Sequence, residues 1–273
     1  MPFIKIIRPF NCLFVILAVF FGAFYHSENS NIYPTIFAAI SAFLIAAAGY
    51  AINDFFDIPI DSINRPDRIL PSGKITPKSA YVFAVLLFIL GITASYLTQN
   101  FYCVIISIVN SLLLFSYAKT FKMSFLIGNI LVAYTTASTF LFGGLCNDNV
   151  ANSMIIVIFA FLYTFIREIV KDGEDIEGDI KLGAKTLAVK IGKKNIALIS
   201  IFPTLTIILY TVFLFINMSI SVTVFFVLLI GVALPLIILI IYIIRKSDIQ
   251  RFANASLLMK INMLMLLIIL WVG

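Results

Sequence analysis

Charge is what this sequence has least of. Only 12% of its 273 residues are Asp, Glu, Lys or Arg, against about 25% in soluble domains. It has one histidine and three cysteines. Cys12, Cys103 and Cys146 show no metal-binding spacing and read as packing residues within or at the ends of apolar segments. With His26 alone at the end of such a segment, no Ser-His-Asp or thiolate arrangement is available, and no glycine-rich nucleotide motif occurs.

Long apolar runs are what the chain does have: 62% of it is hydrophobic, with a mean hydropathy of +1.10. A bilayer span needs roughly 20 apolar residues. Nine runs qualify, near 6–26, 33–56, 78–98, 101–117, 124–143, 152–170, 195–216, 220–244 and 252–272. The opening "MPFIKIIRPF" is basic enough for a signal peptide, but no small-residue cleavage site follows, so it reads as the start of a first span. The expectation is an all-α, polytopic membrane protein: one domain over 1–273, with nine transmembrane helices around a central chamber.

Orientation follows from the basic residues. With nine spans, 18 of the 19 Lys and Arg fall on one side, and Lys260 lies within the last span. The opposite loops, "HSENSN", "TQN", "GGLCNDNVANS" and "INMSIS", contain none. This bias places the basic side and the N-terminus in the cytoplasm. It also accounts for a pI of 9.2 by topology and attraction to anionic headgroups, with no nucleic acid as partner.

The acidic residues are as uneven. Outside Glu28 and Asp148 they lie on the basic side, mostly in two clusters, "NDFFDIPIDSINRPDRILPSGKIT" and "REIVKDGEDIEGDIKLGAKTLAVKIG". Asp54, Asp57 and Asp61 are spaced three then four, and Asp172, Asp175 and Asp179 repeat that spacing 118 residues later. On a helix Asn53, Asp54, Asp57 and Asp61 fall within about a 100° arc. Pro59 predicts a helix end or kink near Asp57, with Asp61 brought round by the turn. Gly173 and Gly178 are expected to give the second cluster similar freedom.

Solvated helix ends account for one acidic cluster. Two matched clusters at a membrane face require something positive between them. Carboxylates and an amide are hard oxygen ligands suited to Mg²⁺ or Mn²⁺. Mg²⁺ takes one or two carboxylates and completes its shell with water and phosphate oxygens, so the pattern implies a diphosphate. Arg65, Arg68, Lys74, Lys119 and Lys122 flank the clusters and are placed to hold further phosphate oxygens.

These residues resemble the UbiA superfamily of intramembrane prenyltransferases. The first cluster resembles its N-D-x-x-D-x-x-x-D signature followed by N-R-P and P-x-G. The second resembles D-x-x-x-D followed by G-x-x-T. "REIVKDGEDIEGD" is most similar to the archaeal digeranylgeranylglyceryl phosphate synthases, which join geranylgeranyl diphosphate to geranylgeranylglyceryl phosphate in making ether lipids. The resemblance implies that Asn53, Asp57 and Asp61 bind metal on one side and Asp175 and Asp179 on the other, with Asp54 and Asp172 as neighbouring candidate ligands. "FSYAKTFK" resembles the family's Tyr and Lys motif, which puts Tyr117 and either Lys119 or Lys122 on the substrate. Arg8 in "IRPFN" resembles an Arg-Pro element near the acceptor, and an ordinary positive-inside anchor is its alternative.

The implied chemistry is ionisation of an allylic prenyl diphosphate, assisted by Mg²⁺ and basic side chains. A membrane pocket excludes water, and aromatic faces near the motifs, from Phe55, Phe56, Phe115, Tyr117, Phe161 and Tyr163, stabilise the cation. A hydroxyl of a lipid acceptor then forms an ether. A phosphorylated glycerol demands cations of its own, for which Lys119, Lys122, Arg8 and Lys185 are the candidates. An aromatic acceptor such as 4-hydroxybenzoate is the alternative within the enzyme class. A divalent-cation transporter is the alternative outside it, although its carboxylates belong nearer the bilayer midplane. The enzyme reading places a multi-pass protein in the cell membrane with its active site on the cytoplasmic side.

Overall fold

The computed structural model describes residues 2–28 and 31–273, except the side chain of Asn64. Asn29 and Ser30, within the expected external loop "HSENSN", lie outside the described residues. Described residues form helices and no strand: α1 (Pro2–Ile6), α2 (Pro9–Phe24), α3 (Ile32–Phe56), α4 (Ile58–Asn64), α5 (Pro77–Tyr96), α6 (Phe101–Lys119), α7 (Ile127–Cys146), α8 (Val150–Lys181), α9 (Leu187–Ile191), α10 (Lys193–Ile199), α11 (Ile201–Ile216), α12 (Val222–Leu228), α13 (Leu234–Arg245) and α14 (Ile249–Val272). Eight segments are long and apolar enough to cross a membrane: α3, α5, α6, α7, α8, Lys193–Ile216, Val222–Arg245 and α14. The first expected run instead contains α2, an apolar helix of 16 residues.

That first run is broken at Arg8, which adopts φ 50° and ψ 65°. The residue before a proline is disfavoured in the right-handed helical region. Pro9 therefore begins a new helix instead of continuing α1, and the expected uninterrupted span from residue 6 divides into two elements.

Two units make up the described chain, one the chain up to Lys122 with Ala137–Val157, the other Met123–Thr136 with Ile158–Gly273. The first is built on close approach of small residues, which drives helix association where no water is displaced. Ala47, Ala48 and Ala51 of α3 are fully buried, and Ser41 of α3 donates to the Gly91 carbonyl of α5 at 2.7 Å. Gly22 of α2 abuts the Phe140 backbone of α7, and Gly143 abuts that of Val19, so a Cβ at either glycine collides with main chain. Asn147 and Asn149 donate to the carbonyls of Ala23 and Tyr25, each at 2.8 Å, satisfying acceptors that the end of α2 leaves open. Cys12, Cys103 and Cys146 are buried free thiols, as their reading as packing residues requires.

In the second unit, Pro235 removes the N–H that would have bonded the carbonyl of Gly231, four residues earlier. The helix forms a π turn there, over Leu229–Ala233. Asn262 of α14 supplies the missing donor to Gly231 at 2.7 Å, and its own oxygen accepts from the Tyr163 hydroxyl at 2.6 Å. Tyr163 is fully buried in this arrangement.

Candidate active site

The first acidic cluster turns as its proline dictates. α3 ends at Phe56, Asp57 caps it with φ −82° and ψ −4°, and α4 starts at Ile58 with Pro59 in its first turn. The turn keeps the polar groups together. Asn53 donates to Asp57 at 2.8 Å, and Asp57 and Asp61 are each only 6% exposed. Asp54, Asp57 and Asp61 each have a cation from elsewhere in the chain. Arg8 reaches Asp54 at 2.5 Å. Arg68 lies 2.6 Å from Asp61 and 3.7 Å from Asp54. Lys122 donates to both oxygens of Asp57, at 2.7 and 2.6 Å. Carboxylates this enclosed are tolerated because each is paired.

The segment after α4 sets Arg68 in place. Leu70 and Ile75 are buried in one apolar cluster with Ile45, Ala48, Ala51 and Ile52 of α3 and Ile6 of α1. Gly73, at φ 72°, closes a turn in which the Lys74 N–H bonds the Ile69 carbonyl at 3.1 Å. A side chain is strained in that conformation, which accounts for the glycine of P-x-G.

The second cluster differs from expectation. α8 continues unbroken to Lys181, so Gly173 and Gly178 do not loosen it. Gly173 is instead a contact requirement, because a Cβ there would meet the ring of Phe252 at 2.6 Å. Helical spacing puts Asp172, Asp175 and Asp179 along one face. Asn129 of α7 donates to Asp172 at 3.1 Å, and Thr186 donates to Asp179 at 2.8 Å. Gly183, at φ 66°, reverses the chain so that the Ala184 N–H bonds the Asp179 carbonyl at 2.9 Å. G-x-x-T is thus a device that folds back on Asp179. Asp175 is the exposed member, with a 54% exposed side chain and Lys171 as its ion-pair partner among the described residues, at 3.9 Å.

Of the other candidates, Arg65, Lys119 and Lys185 are exposed, while Tyr117 is partly buried on α6. Phe56 packs edge-on to Phe115 with ring centroids 5.8 Å apart, so two of the expected aromatics meet beside the first cluster. Sequence reasoning missed Asn129, whose signal is an amide near the start of an apolar helix. Among the described residues no three His, Cys, Asp or Glu side chains converge as a ready-made metal cage. The donors fit Mg²⁺ nonetheless, because that ion requires only one or two carboxylates besides phosphate and water. The cations already drawn to Asp54, Asp57 and Asp61 show that these carboxylates favour positive charge.

Comparison with known proteins agrees with this chemistry. The UbiA prenyltransferase family model matches residues 13–264. A digeranylgeranylglyceryl phosphate synthase of Sulfurisphaera tokodaii is 37% identical over 99% of this chain and 97% of its own. One of Methanococcus aeolicus is 42% identical over 71% and 70%. A solved structure described as digeranylgeranylglyceryl phosphate synthase superposes with a TM-score of 0.88 at 33% identity, covering 100% of this chain and 97% of that one. A UbiA homologue from Archaeoglobus fulgidus, solved with DMAPP and Mg²⁺, shares the fold, with a TM-score of 0.71 at 16% identity over 98% and 99% of the two chains. The chain therefore belongs to the UbiA prenyltransferase family and is a multi-pass membrane prenyltransferase.

Proposed function

We propose that this enzyme transfers a geranylgeranyl group from geranylgeranyl diphosphate to the hydroxyl of geranylgeranylglyceryl phosphate, forming an ether. The observation that carries the reading is likeness to named synthases along the whole chain. The array at Asn53–Asp61 supports it, with buried carboxylates interleaved with cations, as a charged leaving group requires.

Asn53, Asp57 and Asp61, with Asp175 and Asp179, are the proposed metal ligands, and Asp54 and Asp172 stand beside them. Mg²⁺, when bound, neutralises the departing diphosphate. The residues then have separable tasks. Asn53 and Lys122 hold the Asp57 carboxylate in one orientation. Arg68 orients Asp61, Asn129 orients Asp172 and Thr186 orients Asp179. Arg65, Lys119 and Lys185 are left as exposed cations able to attract an anionic substrate.

The deciding experiment is a product assay of the purified protein with geranylgeranyl diphosphate and a panel of acceptors. Ether formation on the glycerol phosphate lipid is expected. Product only with 4-hydroxybenzoate would replace this reading by the aromatic alternative.

The proposed topology is nine spans in one intramembrane domain, with α2 as the first, the N-terminus inside and the active site at the cytoplasmic face. Complete segregation of the loop Lys and Arg supports it. In a background without native cysteines, a cysteine introduced into "HSENSN" or "GGLCNDNVANS" should react only with reagent added outside the cell, and one at Lys193 only from inside. Reaction of the Lys193 site from outside would sink both the span count and the cytoplasmic site.

A further inference from the structure

A pocket of about 450 Å³ opens on the first unit beside the acidic cluster. Four cations line it, Lys5, Arg8, Arg68 and Lys74, with Asp54 and Asp67 as the only carboxylates. We infer that this pocket holds the phosphate of the lipid acceptor, a phosphomonoester, and that Lys5 and Lys74 are its specificity-determining side chains. The inference rests on the prenyl-transfer reading above and names the substrate group that this particular pocket takes.

Charge is the first argument. The lining carries two more positive than negative charges, one of them shared with Asp61 outside it, so the pocket favours an anionic group such as a phosphomonoester. Its cations divide into two kinds. Arg8 and Arg68 are committed to Asp54 and Asp61. Lys5 and Lys74 have no ion pair among the described residues and are exposed to the pocket mouth. A ligand entering here meets two uncommitted ammonium groups against two guanidinium groups that are already fixed.

Rigidity is the second. Lys5 sits on α1 one residue before Ile6, which is only 1% exposed in the apolar cluster. Lys74 follows the Gly73 turn, between the buried Leu70 and Ile75. The backbone at both lysines is therefore anchored, while their side chains are exposed. Arg8 holds a left-handed conformation rare for a side chain larger than glycine, and its guanidinium lies 5.1 Å from the Tyr50 ring centroid.

Position is the third. Arg68 touches the pocket and Asp61 at once. An acceptor anchored here by its phosphate would hold the rest of its glycerol within a few bonds of the proposed metal ligands. The shared chemistry admits one competitor, the phosphate headgroup of a bilayer lipid, since positive-inside lysines attract such headgroups as well.

The test uses the full-length enzyme in zwitterionic nanodiscs and in nanodiscs that also contain anionic lipid, as wild type and as Lys5→Ala/Lys74→Ala. Donor and acceptor are varied separately, and the acceptor is supplied in phosphorylated and dephosphorylated forms. Loss of two charge-assisted contacts should raise KM for the phosphorylated acceptor about tenfold or more. KM for the prenyl diphosphate should stay within about twofold, and the dephosphorylated alcohol should be prenylated equally by both proteins. Equal weakening for donor and acceptor would overturn the inference, because the pocket would then serve the diphosphate. Unchanged KM values, with a loss of activity that depends only on anionic lipid in the disc, would overturn it in favour of a headgroup anchor. Failure of the wild type itself to prenylate any phosphorylated glycerol would refute the underlying reading, an outcome visible without the variant.

Discussion

Asp57→Asn and Asp175→Asn are each expected to lower the rate of prenyl transfer by at least about 10²-fold, and EDTA to abolish it. The two positions differ in every structural respect, which makes agreement between them informative. Asp57 is 6% exposed and receives hydrogen bonds from Asn53 and from Lys122. Its replacement by Asn preserves shape but leaves the lysine without a counter-charge, so some loss of stability accompanies the loss of rate. Asp175 is half-exposed, and its ion-pair partner among the described residues is a neighbour one helical turn away. Such surface pairs contribute little to folding, so Asp175→Asn should leave the melting temperature unchanged. A shared loss of rate, despite unlike effects on stability, would mean that both acidic motifs act on the same leaving group. Turnover assays with Mg²⁺ or Mn²⁺ restored after chelation, alongside thermal melts in detergent, measure both quantities. Near-normal rates in both variants would leave the two clusters with a structural role and no part in the reaction.

How far the sequence could be read depended on the range of the interaction. Apolar runs mark the spans because bilayer thickness sets their length, and Pro59 marks the end of α3 because its ring acts on its immediate neighbours. Reading failed where a distant contact decided the outcome. Gly173 looks like a source of freedom, yet α8 runs straight through it and Phe252, 79 positions later, requires the missing side chain. The first run reads as starting near residue 6, yet Pro9 opens α2 only after Arg8 has broken the chain from α1. Asn129 carries no motif, and only the meeting of α7 with α8 gives it Asp172 as a partner. Lys5 reads as a positive-inside anchor until the pocket shows that it shares a cavity with Lys74. The acidic residues themselves were legible because their three-then-four spacing is a local property of a helix.

Lys119 and Lys122 follow α6 as a pair and are equivalent by sequence. The structure separates them. Lys119 is exposed, whereas the Lys122 ammonium lies within 2.7 Å of both oxygens of Asp57. We propose on this ground that Lys122 acts with the first acidic motif, in place of the expectation that both lysines serve the acceptor phosphate. Replacing Lys122 with Ala removes a charge-assisted interaction with Asp57 worth about 1.5–3 kcal/mol in all, which corresponds to a loss of roughly tenfold to a hundredfold in kcat/KM for the prenyl diphosphate. The same change should leave KM for the acceptor within about twofold, since the acceptor phosphate is assigned to Lys5 and Lys74. Lys119→Ala, touching neither group, should remain within about twofold of wild type for both substrates. Lys122→Arg should recover only part of the loss, because a planar guanidinium does not reproduce the point charge of an ammonium between two carboxylate oxygens. Single-variant kinetics with each substrate varied in turn decide the matter. A Lys119→Ala defect as large as that of Lys122→Ala, or a Lys122→Ala defect confined to the acceptor, would mean that the ion pair with Asp57 is not what the lysine contributes to catalysis.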